Sequence, residues 1–369
     1  CLRMAVHSQE NAVKANQGEW SELYVLVHLL GTGRLYAADA ELNALADCFF
    51  PILKVMRCED EDRQIDMVVR DHGVEIICNG IAVHTVKRSL LTSYAKALLD
   101  AIRMGRGAFA IPLAAEVMER LSICKVKASS AEKADITMRL HDIHTGLENV
   151  FAFSIKSYIG AAPTLLNASK STNFVFAVEG LDAADISRIN AIEGRKKLLE
   201  RMQEISAAGG SLRYIRPASD TFRNNLSFID MSFDRLLAAL LLESYHSGEL
   251  DCRKLLQTVA EANPFDVAEP QKLYEYKFKK FLCAVALGMQ PAKAWSGTED
   301  ASGGYIIARA DGAVVAYHIY NRNFFEEYLL CSTRLERASS SRNDYCCIYE
   351  VDGIHYIHLN LQIRFKDHG

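Results

Sequence analysis

Asp135 and the tripeptide Ser154-Ile155-Lys156 are the residues whose types and spacing suit metal-assisted hydrolysis of a phosphodiester. That chemistry needs an acidic ligand for a hard dication and a second oxygen group facing the same ion. It also needs a lysine that positions the attacking water and stabilises developing charge. Two adjacent strands meet these needs when an Asp near the start of one faces an acid-x-Lys on the next, because period-2 alternation puts the acid and the Lys on one face. Asp135 opens the strand-like run Asp135-Ile136-Thr137-Met138-Arg139-Leu140. In Phe153-Ser154-Ile155-Lys156-Ser157, alternation sets Ser154 and Lys156 on one face and turns Phe153 and Ile155 toward the core. The competing reading makes Lys156 a solvated lysine on a strand face and Asp135 a turn residue. Against it, Lys156 lies in an otherwise apolar segment, where an unpaired ammonium is costly.

The elements that must hold these side chains are written in the periodicities. Over residues 18–30, Trp20, Leu23, Tyr24, Val27 and Leu30 recur at three- and four-residue steps, which predicts an amphipathic helix carrying Glu19 and Glu22. An apolar run at 48–55 precedes a predicted hairpin, 64–70 with 74–78, turning at Asp71-His72-Gly73. The chemistry-bearing hairpin is predicted over 133–141 and 149–157, turning at His144-Thr145-Gly146. Further helices are expected over 89–103, 111–121, 186–205, 232–247 and 274–287, the third ending at Gly209-Gly210 and the fourth near Gly248. Strands are expected over 172–178, 304–309, 314–320, 345–351 and 355–365.

Together these predict an α/β (α+β) protein: a mixed central sheet flanked by helices, with a strand-rich C-terminal part. The chain has no internal repeat and no low-complexity linker, so the boundary falls at the compositional change near residue 290. That gives an N-terminal part, 1–290, carrying the hairpin with Asp135 and Lys156, and a strand-rich C-terminal region, 291–369.

Composition narrows the partners. The 369 residues are 50% hydrophobic and 24% charged, enough for at least one large core, and the formal net charge of -4 exerts no global pull toward nucleic acid or an anionic membrane. A nucleic-acid site must then be a local patch. The 10 cysteines include no CxxC pair of the kind used for zinc or redox work, which fits a reduced compartment. No stretch approaches the roughly 20 uncharged apolar residues that span a bilayer. The opening Cys1-Leu2-Arg3-Met4-Ala5 lacks a signal-peptide layout, so a cytoplasmic protein without membrane contact is expected. The chain has no G-x-G-x-x-G, Walker loop, G-x-S-x-G elbow or HExxH helix to indicate another enzyme class.

Local polar patches do exist. Residues 163–173 are dense in Asn, Ser and Thr, side chains that donate to phosphates and read base edges; Asn167, Ser169, Lys170, Thr172 and Asn173 are the candidates. A polar loop satisfying its own turns is the alternative. A second patch, residues 334–342, carries Arg334, Ser340 and Arg342, and arginines there suit bidentate contacts to guanine O6 and N7. The alternative is a flexible basic loop. Asn321 and Arg322, at a predicted strand end, form a third candidate. Gly194-Arg195-Lys196-Lys197 reads as a phosphate-facing or solvated helix surface.

Across its length the chain resembles the HpaII-type family of Type II restriction endonucleases. The resemblance lies in Gly18-Glu19-Trp20-Ser21-Glu22-Leu23-Tyr24, Lys133-Ala134-Asp135-Ile136, Phe153-Ser154-Ile155-Lys156-Ser157 and Pro163-Thr164-Leu165-Leu166-Asn167-Ala168-Ser169 with Thr172-Asn173-Phe174. It continues through His318-Ile319-Tyr320-Asn321-Arg322 to the closing Leu359-Asn360-Leu361-Gln362-Ile363-Arg364-Phe365. The resemblance implies a PD-(D/E)xK nuclease fold, double-stranded DNA as substrate and Mg²⁺ as cofactor. It also implies recognition of CCGG with cleavage after the first C, and a cognate DNA methyltransferase in the same system. A two-fold symmetric site would be cut either by a homodimer or by sequential monomer attack.

By the same resemblance Asp135 is a Mg²⁺ ligand and Lys156 the catalytic lysine, while Ser154 stands where the superfamily usually has Glu or Asp. A hydroxyl is a poor ligand for a hard dication, so a carboxylate must come from elsewhere. Glu22, which with Gly18 forms a Gly-x-x-x-Glu pattern on the opening helix, is the first choice and Glu19 the second. The alternative is a catalytically decayed, sequence-specific DNA-binding protein of the same fold, for which the missing acid would be a sign.

Overall fold

The computed structural model describes residues 13–367 apart from 40, 61, 128–133, 144, 195, 319, 320 and 338. The opening pentapeptide, Lys133, the turn residue His144, Arg195, Ile319, Tyr320 and Ala338 therefore lie outside the described residues. The chain divides into two compact units: Cys1–Pro163 with Asp300–Phe325 and Asp367–Gly369, and Thr164–Glu299 with Glu326–Lys366. This differs from the division near residue 290 expected from composition. Strand Gly304–Ala308 pairs in parallel with Glu148–Ser157, and Val314–His318 with Arg34–Ala38, so the stretch after 300 returns to the first unit. Composition registers texture, whereas strand pairing decides which unit a segment joins.

The first unit is built on a mixed nine-stranded sheet. Its centre runs Gly304–Ala308, Glu148–Ser157, Ile136–His141 and Ala44–Asp60, with the predicted hairpin antiparallel in the middle. The long strand Ala44–Asp60 pairs with Arg34–Ala38 through its first half and with Ile136–His141 through its second. The other predicted hairpin, Arg63–Val69 with Val74–Cys78, continues the sheet outward.

The opening helix, Gln17–Thr32, buries Trp20, Leu23 and Leu30 completely, each such burial contributing about 1.5–3 kcal/mol. Its start is closed by a capping box and its end by Gly33 at φ 65. The helix packs on the predicted second helix, Arg88–Met104. A Cβ at Gly31 would lie only 3.0–3.1 Å from Thr92 Oγ1 and backbone N, so the close helix approach needs a glycine there. Gln17 donates to the carbonyls of Ile102 and Gly105, and Trp20 Nε1 to that of Phe109, which ties the start of the opening helix to the end of Arg88–Met104 and the segment after it.

The second unit has an antiparallel four-stranded sheet, ordered Ser211–Pro217, Asn173–Glu179, Ile354–Asn360 and Ile348–Val351. A three-stranded sheet is ordered Thr164–Leu166, Ile363–Phe365 and Thr333–Leu335. Its core is aromatic, with Phe174, Phe176, Phe222, Phe233 and Phe281 fully buried.

Three expectations are corrected here. The helix predicted over 186–205 is two helices, Ala183–Asn190 and Lys197–Ala207, interrupted where Gly194 takes φ 120. Buried Arg201 stabilises the break by donating to the carbonyls of Asn190 and Ile192 that the helix no longer pairs. The strand predicted over 355–365 is divided between the two sheets, with Leu361 and Gln362 between the pieces. Arg322 opens the helix Arg322–Ser332, so it does not lie at a strand end. Among the described residues no helix is long and apolar enough to cross a membrane.

Candidate active site

Asp135 stands just before the strand Ile136–His141, and its backbone N–H donates to Phe153 O at 2.8 Å, the last rung of the hairpin. This rung sets Asp135 opposite Ser154-Ile155. Asp135 Oδ2 accepts from Ser154 Oγ at 3.0 Å and from Ile155 N at 2.7 Å. Two donors fix that oxygen, leaving Oδ1 as the face of the carboxylate turned outward. The serine at the usual acid position is itself buried and acts as a donor to Asp135. Burying a hydroxyl without a partner would be costly, and Asp135 supplies the partner.

Glu22 reaches this place from the opening helix. The helix buries Trp20, Ser21, Leu23 and Tyr24 around it, and the Glu22 side chain keeps 16% of its exposure against 14% for Asp135. Burial, and secondarily the negative charge of Asp135, push the Glu22 carboxyl up to about 7. Lys156 rises from the interior strand Glu148–Ser157, near enough for its charge to act on Glu22. Burial lowers its ammonium below the ordinary lysine range, while Asp135 and then Glu22 act in the opposite sense. Its Nζ also lies 5.4 Å from the centre of the Tyr305 ring, on the neighbouring parallel strand.

Glu19 does not join these groups. Its carboxylate accepts from Asn16 N at 2.8 Å while Asn16 Oδ1 accepts from Glu19 N at 3.1 Å, so both side chains are committed to the capping box. Three residues further along the helix, Glu22 escapes that commitment. Among the described residues no group of three or more His, Cys, Asp and Glu could hold a metal ion. Two carboxylates nonetheless suit Mg²⁺, which keeps several waters and is often held by one or two carboxylates together with substrate phosphate oxygens.

One participant was not legible in the sequence. Lys127 places its ammonium 3.7 Å from Glu22 Oε1 and 3.9 Å from Asp135 Oδ1. Nothing in its spacing marks it.

A model of the HpaII restriction endonuclease family matches residues 16–365. The chain belongs to that family. Type II restriction enzyme HpaII of Haemophilus parainfluenzae is 38% identical to it over 355 residues, covering 95% of this chain and 98% of the relative. No solved structure matches. Membership makes this HpaII-family chain a Type II restriction endonuclease homologue, a hydrolase in the site-specific deoxyribonuclease class.

The DNA-contact candidates of the second unit separate into two kinds. Thr172 and Asn173 are buried and satisfied: Asn360 Nδ2 donates to Thr172 Oγ1 at 3.2 Å and to Asn173 Oδ1 at 2.7 Å, and Asn173 Nδ2 donates to Asn343 O at 2.8 Å. These side chains hold loops together within the second unit. Ser169 caps the same short turn. Asn167, Lys170 and Arg342 are exposed, Lys170 pairing with Asp344, and Arg334 and Ser340 are half-buried. Through Asn173 and Lys170 the polar loop after residue 163 adjoins the 340–344 turn, so two patches far apart in sequence share one surface. Lys196, Lys197, Arg337 and Ser339 to Ser341 line a cleft of about 460 Å³ beside it. In the first unit, Asn321 is exposed and Arg322 half-buried.

Proposed function

We propose that this chain hydrolyses double-stranded DNA at the palindrome CCGG with Mg²⁺, on a PD-(D/E)xK core, with Asp135 and Glu22 as the metal-holding carboxylates and Lys156 as the catalytic lysine. What supports this is the convergence of Glu22, from the opening helix, with Asp135 and Lys156 of the hairpin. These three groups come from separate segments and meet on one sheet face.

The roles follow from the surroundings of each group. Ser154 and Ile155 N–H orient Asp135, whose Oδ1 faces the site. Glu22, with a carboxyl near 7, loses its proton as pH rises through neutrality and then offers a second hard oxygen ligand. A dication held there supplies polarisation of the scissile phosphate and a lowered pKa for the attacking water. Lys156, near the C-terminal end of its strand and under the influence of the Asp135 and Glu22 charges, holds its ammonium where it can hydrogen-bond a water and stabilise charge growing on a phosphate oxygen. In the second unit, Asn167, Arg342, Ser340 and the cleft lysines form the surface suited to phosphate and base-edge contacts. The two strands of the palindrome are cut by a homodimer or by successive attacks, and a partner methyltransferase acting on the same sequence protects the host.

Sequencing the ends of digested plasmid reads reaction, site and cut position together. Ends within CCGG are expected. Asp135→Asn and Lys156→Ala should each lower the cleavage rate by at least about 10²-fold, the scale of losing one electrostatic stabiliser, while leaving the thermal transition in place. Either variant cutting at the parental rate overturns the assignment.

A further inference from the structure

We propose that Lys127 is the resident cation of the metal site: in the metal-free chain its ammonium stands against Glu22 and Asp135, and a divalent ion must displace it. The inference rests on those two carboxylates being the metal ligands. The ammonium lies 3.7 Å and 3.9 Å from one oxygen of each, longer than a hydrogen-bonded ion pair and loose enough to exchange. The oxygen of Asp135 that it faces is Oδ1, the one not committed to Ser154 and Ile155.

The backbone delivering Lys127 is held with unusual rigour. Arg57 and Glu59, both buried on the long strand Ala44–Asp60, form an ion pair. Glu59 Oε2 accepts from Cys124 N at 2.7 Å and Lys125 N at 3.1 Å, and Arg57 donates to the carbonyls of Lys125 and Val126. Val126 is buried in the core cluster. A buried ion pair is a demanding device for fixing a loop, since each partner must be desolvated. Here it fixes the backbone up to the residue before Lys127, whose side chain is 58% exposed. Anchored backbone and solvated side chain together make an ammonium that can swing to water without moving the loop.

Charge balance points the same way. The two carboxylates carry two negative charges, and Lys156 with Lys127 carries two positive ones. Adding a dication leaves an excess of two positive charges if Lys127 stays and of one if it leaves, and like-charge repulsion favours departure.

The test is Mn²⁺ binding to the full-length, DNA-free protein at pH 8.5, where Glu22 is ionised, followed by calorimetry and by the electron paramagnetic resonance of unbound Mn²⁺. K127A should bind Mn²⁺ roughly 2- to 30-fold more tightly than the parent, as expected for removing two half-exposed competing ion pairs. K127Q, keeping most of the stem, should do the same, and K127R should stay near the parent. The gap between K127A and parent should narrow as salt rises. Unchanged or weaker binding in both K127A and K127Q overturns the inference while leaving the ligand assignment intact if D135N still loses Mn²⁺. If D135N binds Mn²⁺ as the parent does, the ligand assignment fails and the inference with it.

Discussion

Replacing Glu22 with Gln keeps the side chain's shape and removes an ionisation that the fold opposes. In the metal-free folded chain burial and Asp135 raise this carboxyl from 4.5 to about 7. Below pH 4.5 the group is protonated folded or unfolded and contributes no difference. Between 4.5 and 7 the unfolded chain ionises first, so the native state loses stability as pH rises; above 7 both states are ionised and the loss is complete. The shift is 7 − 4.5 = 2.5, which at about 1.4 kcal/mol per pH unit is a loss of about 3 kcal/mol. At 16% exposure the side chain is enclosed enough for the figure to stand without a large discount for solvent. Glu22→Gln escapes that loss. Denaturant unfolding in EDTA should therefore find the variant close to the parent at pH 4.5 and more stable by about 3 kcal/mol at pH 8, with the change centred between those limits. A stability difference that does not change with pH, or a variant that becomes relatively weaker as pH rises, would refute the burial and charge argument. Added Mg²⁺ should stabilise the parent at pH 8 and leave the variant almost unmoved, because only the parent retains both carboxylates.

Two further outcomes separate scaffold from site. Glu19→Ala should lower stability by about 1 kcal/mol through loss of the capping box, with the Mn²⁺ affinity of the folded protein unchanged; a large loss of affinity would return Glu19 to the metal site. Asn173→Ala should destabilise by about 1–3 kcal/mol through the buried network with Asn360, whereas Arg342→Ala should leave stability alone and reduce the salt slope of DNA binding by about 1, measured by fluorescence anisotropy at several salt concentrations. Parental salt dependence in Arg342→Ala would remove that residue from the DNA surface.

The sequence by itself determined the local elements and the strand-borne half of the site. Periodicity three to four exposes the opening helix, and alternation exposes both hairpins, because each pattern is set by which face a short segment must bury. Asp135, Ser154 and Lys156 belong to one such hairpin, so their common face was readable before any tertiary contact. Glu22 was readable as a candidate only, since helix spacing cannot tell it from Glu19. Tertiary structure decided between them: Asn16 engages Glu19 in the cap, and the helix's packing turns Glu22 to the hairpin. Lys127 and the Arg57–Glu59 brace had no legible signal, because their partners are joined by a loop whose course no periodicity records. The same limit explains the return of 300–325 to the first unit and the burial of Thr172 and Asn173. A polar side chain looks identical in sequence whether it faces water or a buried amide, and only the packed fold supplies the partner that distinguishes the two.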